Sequence, residues 1–168
     1  MTCVAPTGTI GLIAGVSSSI EPYFALALSR RVLDGRIHTE VNPLVEAELA
    51  KLDDAGQSAL AAIRQSGSLR SQTDLPAELR RRFPIALEIA PSHHVAMQAA
   101  FQNHVDAAVS KTVNLPPDAP LSAVREIFLR AHELRLKGIT VYRYGSRSRQ
   151  TLSLLDDAAR PDCRECAV

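Results

Sequence analysis

Tryptophan is absent from this 168-residue chain, and aromatic residues make up only 4% of it. Proteins that bind single-stranded nucleic acid stack its bases on aromatic rings, and nucleic-acid binding in general needs a basic surface. The formal net charge is only +1, from 19 basic and 18 acidic residues. Both shortages argue against nucleic acid as a partner.

Long apolar segments are also missing. No run approaches the roughly 20 residues of a membrane-spanning helix. The apolar stretch Ile10–Val16 is interrupted by glycines and has no basic segment before it, unlike a secretory signal. The chain has three cysteines, two of them close together at Cys163 and Cys166, which is not the disulfide framework of a small secreted protein. We therefore expect a cytoplasmic protein with no membrane partner.

What is present is typical of a globular protein, with 46% hydrophobic and 22% charged residues, and the length suits one core. Strands are expected at Val4–Pro6, Tyr23–Leu33, Val109–Leu115 and Ile139–Tyr142. Helices are expected at Ile10–Ala14, from Pro43, at Ser58–Gln65 with an end at Ser66-Gly67, at Asp74–Arg82, from Pro91, and from Leu121 to Gly138. The last two strands enclose a helix, which predicts a parallel βαβ unit and a helix-rich α/β fold.

The helix predictions depend on caps and on side-chain spacing. Asn42 and Pro43 form a good helix start, because Asn accepts from first-turn N–H groups and Pro has a preset φ. Asp74 is the expected cap before Pro76. The residues expected to share a face are Leu44, Val45, Leu49 and Leu52 in the first of these helices, His94, Met97, Phe101 and His104 in the helix from Pro91, and Leu121, Val124, Phe128 and Ala131 in the last.

The stretch APTGTIGLIAGVSSSIEP, residues 5–22, has the most informative local pattern. A short strand runs into Pro-Thr-Gly-Thr and then into a helix start, where free N–H groups and the helix dipole favour an anion. Gly8 allows close approach of the backbone, and Thr7 and Thr9 add hydroxyl donors. The Gly-Lys-Ser/Thr of a P-loop is missing, so the donors would be neutral. The alternative is a plain Pro-Gly turn with a threonine cap.

The segment APTGTIGLIAGVSSSIEPYFAL resembles the substrate-phosphate loop and following strand of ribonucleotide reductases, especially the adenosylcobalamin-dependent class. Three later segments resemble the same family in its order: RRVLDG at 30–35, ALEIAPSHHVAMQAAFQNHVDAAVSKTVNLP at 86–116, and LKGITVYRYGSR at 136–147. The resemblance implies that residues 1–145 are the C-terminal part of a ten-stranded α/β barrel, and that residues 146–168 are a flexible tail.

By the same resemblance, Pro6, Thr7, Gly8, Thr9 and Ile10 bind the substrate phosphates. Gly11 stands where the family more often has Ser, so one hydroxyl donor is lost. The family replaces the ribose 2′-hydroxyl of a nucleoside di- or triphosphate with hydrogen, using a thiyl radical that adenosylcobalamin generates in this class.

The finger loop that carries the family's radical cysteine has no counterpart in this chain. We therefore expect no catalytic residue for the radical chemistry, no metal site and no cobalamin-binding surface here. The remaining barrel would be a separate chain or a missing segment. The alternative is a non-catalytic remnant that binds a partner.

The roles expected for the three cysteines, which lie outside the loop, have weaker support. Cys163 and Cys166 form a C-x-x-C of the kind that family members use to reduce the active-site disulfide, with electrons from a thioredoxin-like reductant. Half of a zinc site and two idle thiols are the alternatives. Cys3 is expected to be a buried structural cysteine.

Histidine and tyrosine positions add two further expectations. His94 and His104 are ten residues apart, about 15 Å along a helix, which is too far for one metal ion. Tyr142 and Arg143 match a position where two-subunit reductases carry a tyrosine pair for radical transfer. Tyr-Arg at this position favours the cobalamin class.

Overall fold

The computed structural model describes residues 1–31 and 37–146. Its elements are α1 (Gly8–Ala14), β1 (Ala27–Arg31), β2 (Ile37–Val41), α2 (Pro43–Leu49), α3 (Asp53–Ser66), α4 (Ala77–Arg82), a 3₁₀ turn (Ala86–Glu88), α5 (Pro91–Gln102), β3 (Thr112–Leu115), α6 (Leu121–Glu133) and β4 (Thr140–Arg143). The predicted helix-rich α/β class is confirmed. Within the described ranges, no helix combines the length and apolarity needed to cross a membrane.

The described residues divide into two compact units. Residues 1–22 and 86–146 form one, which we call the parallel unit. Residues 23–85, with a gap at 32–36, form the other, which we call the antiparallel unit. The predicted boundary between a domain and a tail at residues 145 and 146 stays a prediction, because the tail lies outside the described residues apart from Ser146.

A parallel pair of strands defines the parallel unit. β3 pairs with β4 in a register that runs from Thr112↔Thr140 to Leu115↔Arg143, and α6 connects them, so the predicted βαβ unit is confirmed. Both strands begin later than predicted. The predicted strand at Val4 is a single parallel bridge to Val109.

The core of this unit lies between the strands and the helices α5 and α6. Its buried apolar residues are Val95, Val113, Leu115, Ala119 and Ile127. The predicted face of α6 is partly wrong, because Leu121 is 81% and Phe128 50% exposed. The helix packs instead through Val124, Ile127 and Ala131, and Phe128 is rotated about 100° from Ile127.

The predicted face of α5 is also wrong apart from His94. Met97 is 48% and Phe101 41% exposed, whereas Gln98 and Gln102 are buried. Gln98 Nε2 donates to the carbonyls of Val109, at 2.9 Å, and Gly138, at 2.8 Å. Gln102 Nε2 donates to Ala107 O at 2.8 Å. These amides are buried because they donate to backbone carbonyls just before β3 and β4.

The antiparallel unit pairs β1 with β2, from Ala27↔Val41 to Arg31↔Ile37. β1 lies inside the predicted strand Tyr23–Leu33, whose last residues fall outside the described ranges, and β2 was not predicted. The largest fully buried side chains of its core are Leu26, Val45, Leu49, Ile63 and Leu69.

The helices of this unit show which capping predictions hold. Asn42 Oδ1 accepts from Leu44 N at 2.9 Å and Val45 N at 3.4 Å, as predicted, but the Leu44 side chain is 62% exposed. α3 ends at Gly67, as predicted, with a left-handed φ of 73°. α4 is capped by Pro76 and not by Asp74. A residue before proline avoids the helical region, so Leu75 does not extend the helix towards Asp74.

Candidate phosphate-binding loop

The predicted loop turns sharply at Thr7. Thr7 has a φ of +48°, a left-handed value that is uncommon outside glycine, and α1 begins at Gly8. The first hydrogen bond of the helix runs from Gly11 N to Thr7 O, at 2.8 Å. Thr7 therefore occupies the N-cap position, and the backbone N–H groups of Gly8, Thr9 and Ile10 have no acceptor within the helix.

The Thr7 hydroxyl does not cap these N–H groups in the usual way. A capping threonine accepts from the second or third N–H of its helix, but Thr7 Oγ1 accepts from Ser19 N at 2.7 Å. Gly8, Thr9 and Ile10 are exposed, and no acidic residue lies in the first turn. This arrangement leaves first-turn N–H groups available to an anion.

The two glycines of the loop have different surroundings. A methyl group at Gly8 would contact nothing within 4 Å. Gly11 is buried, and a methyl group there would lie 3.3 Å from Ser17 O and 3.4 Å from Ser18 Cα. Gly11 therefore packs α1 closely against the segment Ser17–Glu21.

A buried ion pair, which the sequence reading missed, anchors that segment. Lys111 Nζ lies 2.7 Å from Glu21 Oε2, and the side chains are 2% and 23% exposed. Glu21 Oε1 accepts from Thr112 N at the start of β3. The one sequence signal was a lysine between Val109 and Val113, inside an apolar strand pattern. A lysine at such a position is rarely buried unless it is paired.

His94 lies near this pair and is a packed histidine, not a ligand. Burial lowers the pKa of His94 below its usual 6.5; the charges of Lys111 and His93 lower it further, against the hydrogen bond to Ala86 and the charge of Glu21. Nε2 lies 3.0 Å from Ala86 O. Because a carbonyl only accepts, the neutral ring donates its proton there.

The other predicted positions lie apart from the loop or outside the described ranges. Cys3 is exposed, so the prediction of a buried structural cysteine is wrong. Cys3 precedes the single bridge residue Val4 and does not lie within a packed strand, which explains why Cys3 is exposed. Cys163 and Cys166 lie outside the described residues. Tyr142 is half-buried on β4, and Arg143 Nη1 donates to Ala119 O at 3.4 Å.

Two features of the described ranges bear on cofactor binding. No group of three His, Cys, Asp or Glu side chains there is arranged to hold a metal ion. A groove of about 200 Å³ lies between α5 and α6, lined in part by Pro91, Val95 and Ile127. Small-molecule pockets usually enclose roughly 300–1,000 Å³, so this groove does not fit a corrin ring.

Comparison with known proteins identifies the family. The model of the ribonucleotide reductase barrel domain matches residues 1–142. The chain belongs to the ribonucleotide reductase barrel-domain family. The resemblance found in the sequence is thereby confirmed, and the parallel βαβ unit is a piece of the reductase barrel domain.

Two curated relatives show how much of a reductase the chain represents. It is 52% identical over 153 residues to the vitamin B12-dependent ribonucleoside-diphosphate reductase of Mycobacterium tuberculosis (strain CDC 1551 / Oshkosh), covering 91% of this chain and 22% of that protein. It is 43% identical over 152 residues to the enzyme of the same name from Thermoplasma acidophilum, covering 90% of this chain and 20% of that protein. The chain thus spans about a fifth of these relatives.

A solved structure supports the reductase fold. The alpha subunit of the class Id ribonucleotide reductase of Actinobacillus ureae superposes with a TM-score of 0.67 at 24% sequence identity. The match covers 84% of this chain and 26% of that subunit. At this identity the likeness speaks for the fold alone.

Proposed function

We propose that this chain supplies the substrate-phosphate site of a cytoplasmic, vitamin B12-dependent ribonucleoside-diphosphate reductase. The observation that carries the proposal is the first turn of α1, whose N–H groups are exposed while the Thr7 hydroxyl is engaged by Ser19. The relatives of Mycobacterium tuberculosis and Thermoplasma acidophilum bear the name of this activity. The substrate would be a nucleoside di- or triphosphate.

Each loop residue has a distinct part in this proposal. Gly8, Thr9 and Ile10 donate backbone N–H groups to the phosphate oxygens, and Thr9 adds its hydroxyl. Pro6 has a fixed φ, which sets the direction of the chain as it enters the turn. Thr7 holds the turn, because its hydroxyl accepts from Ser19 N. All of these donors are neutral, so the rest of the phosphate charge would be balanced by other parts of the enzyme.

The radical chemistry belongs to the remaining barrel in this proposal. Adenosylcobalamin would supply the radical when bound there. Three large apolar side chains at the start of the chain are exposed: Ile10 by 64%, Ile13 by 80% and Val16 by 57%. Exposed apolar side chains that lie this close together in the sequence are unusual. They suit a surface that the remaining barrel covers, whether it is a separate chain or a missing segment.

The tail cysteines complete the proposal. The thiols of Cys163 and Cys166 would be oxidised to a disulfide while they reduce the active-site disulfide to two thiols, a transfer of two electrons and two protons. A thioredoxin-like reductant would then restore the pair. Mass spectrometry of the mixed disulfide with a thioredoxin variant that lacks its resolving cysteine tests this step. Its absence with the wild-type tail would count against it.

Calorimetric titration with a nucleoside diphosphate tests the phosphate site. Thr9→Val should weaken binding by about tenfold or more, because a hydrogen bond to a charged group contributes about 1.5–3 kcal/mol. The matched control is Thr73→Val, at an exposed loop position of the antiparallel unit. Equal affinity of Thr9→Val and wild type would exclude the Thr9 hydroxyl from the site, and a wild-type chain that binds no nucleotide would make the loop a simple turn.

The exposed apolar residues of α1 favour one alternative, a non-catalytic remnant that binds a partner. In that case the chain would bind no nucleotide, and a single Ile13→Ser substitution would abolish association with its partner. Calorimetry with a nucleoside diphosphate separates the two functions, because only the reductase function predicts nucleotide binding.

A further inference from the structure

We propose that the Glu21–Lys111 ion pair is a positioning element that holds the phosphate-binding loop in its binding conformation. The inference rests on the proposed function of the loop, and it assigns to both residues a role in substrate binding without contact to the substrate.

A continuous set of contacts joins the pair to the loop. Lys111 is fixed at the start of β3 and lies 2.7 Å from Glu21. Glu21 is held a second time by Thr112 N, and its own N–H donates to Ser18 O at 2.9 Å. Ser19, which follows Ser18, donates its N–H to Thr7 Oγ1 at 2.7 Å. The ion pair thus fixes the position of Ser19 N, which donates to the Thr7 hydroxyl.

The two residues joined by that last hydrogen bond are both in an unfavourable backbone conformation. Thr7 has a φ of +48° and Ser19 a φ of +51°. Such values in residues other than glycine persist only where the surrounding structure enforces them. Gly11, packed against Ser17 and Ser18, closes the same small region from the other side. An anchor for the segment Ser17–Glu21 is therefore required, and the buried pair is in place to provide it.

The energetics of buried ion pairs explain how position and stability can be separated. Removing one partner leaves a buried charge and is strongly destabilising, whereas replacing both by neutral side chains of similar volume is often neutral. A double substitution therefore removes the charge interaction without a large loss of stability. If the pair serves stability alone, such a variant should bind phosphate as wild type does. If the pair positions the loop, the variant should bind phosphate more weakly.

The experiment compares Glu21→Gln/Lys111→Met with wild type in the full chain. The glutamine keeps a carbonyl that can accept from Thr112 N. The control is Glu48→Gln/Lys51→Met, which makes the same substitutions at a pair 2.8 Å apart in the antiparallel unit, where the Glu48 and Lys51 side chains are 30% and 64% exposed and Arg82 also lies 3.5 Å from Glu48. Urea unfolding checks that stability is retained. Glu21→Gln/Lys111→Leu, which again leaves no buried charge, serves if the first double variant does not fold.

Two readouts follow. Amide hydrogen exchange of Ser19, without ligand, reports the hydrogen bond to Thr7. Calorimetry with pyrophosphate reports binding. If the variant populates the binding conformation in one chain in ten, the apparent affinity falls about tenfold. Thr7→Val, which removes the oxygen that accepts from Ser19 N, should reproduce the loss.

Faster Ser19 exchange together with weaker pyrophosphate binding supports the proposal. Unchanged exchange overturns it, and so does unchanged affinity despite faster exchange. If wild type binds no pyrophosphate, the proposed function of the loop fails. Ser19 exchange then decides by itself whether the pair positions the loop.

Discussion

The antiparallel unit packs Leu26, Val45, Leu49 and Ile63 into an apolar core, whereas the buried polar and charged side chains of the described residues lie in the parallel unit. These are His94, Gln98, Gln102 and Lys111. Gln98, Gln102 and Lys111 hold backbone carbonyls or a carboxylate before or at a strand start. His94 bonds the carbonyl of Ala86 in the 3₁₀ turn. Burying such groups is costly unless they are paired. The parallel unit accepts this cost where strand ends and the phosphate loop must be fixed.

The largest effect is expected from the apolar core of the antiparallel unit. Ile63 is fully buried, and Ile63→Ala should lower the free energy of unfolding by about 2–5 kcal/mol, through lost burial and a residual cavity. Urea unfolding measures the loss. Nucleotide affinity under native conditions should not change, because the loop lies in the other unit. A loss of affinity in a folded variant would contradict the separation of roles.

A polar residue of the parallel unit should matter almost as much. Gln98→Leu leaves the carbonyls of Val109 and Gly138 without the amide that they share, and should cost about 1–3 kcal/mol. Gln57→Leu, at an exposed position of α3, is the control. Equal stability of the two variants would show that the buried amide contributes nothing.

A cap substitution should have a smaller effect, confined to α2. Asn42→Ala removes the acceptor of two N–H groups and should cost about 1 kcal/mol. Asn103→Ala is a matched control, because Asn103 lies at the C-terminal end of α5, where its side chain caps no N–H group. Chemical denaturation of both variants tests whether the cap contributes separately from the core.

The smallest expected effect is a dependence of stability on pH between about 7 and 5, to which His94 of the parallel unit contributes. The pKa of His94 is lowered in the folded state, chiefly by burial, from its ordinary 6.5. Below about pH 6.5 the unfolded chain binds the proton more readily, so stability falls as the pH drops towards the folded-state value. His94→Gln should flatten this dependence between pH 7 and 5. A slope that persists in the variant would assign it to another group.

Sequence reasoning was most successful where one local rule decides the structure. The Asn42 cap, the Gly67 helix end and the parallel βαβ unit follow from capping and periodicity, and they were confirmed. The short β2 strand carries no apolar alternation, so it was missed. The α5 face was misassigned because periodicity counts apolar residues, and this helix buries Gln98 and Gln102.

The candidate site also has a part that the sequence predicted and a part that it did not. The motif pointed to Thr7, Gly8 and Thr9, and the resemblance placed them in a family that the barrel-domain match confirmed. The diversion of the Thr7 hydroxyl to Ser19 and the Glu21–Lys111 pair could not be read from sequence. Both depend on contacts between residues 12 and 90 positions apart.

Backbone amide shifts during titration with a nucleoside diphosphate test the central claim most directly. The N–H resonances of Gly8, Thr9 and Ile10 should move together and saturate at one affinity, and Thr9→Val should weaken that affinity by about tenfold or more. Saturable binding that shifts other resonances while these three stay in place would contradict the account.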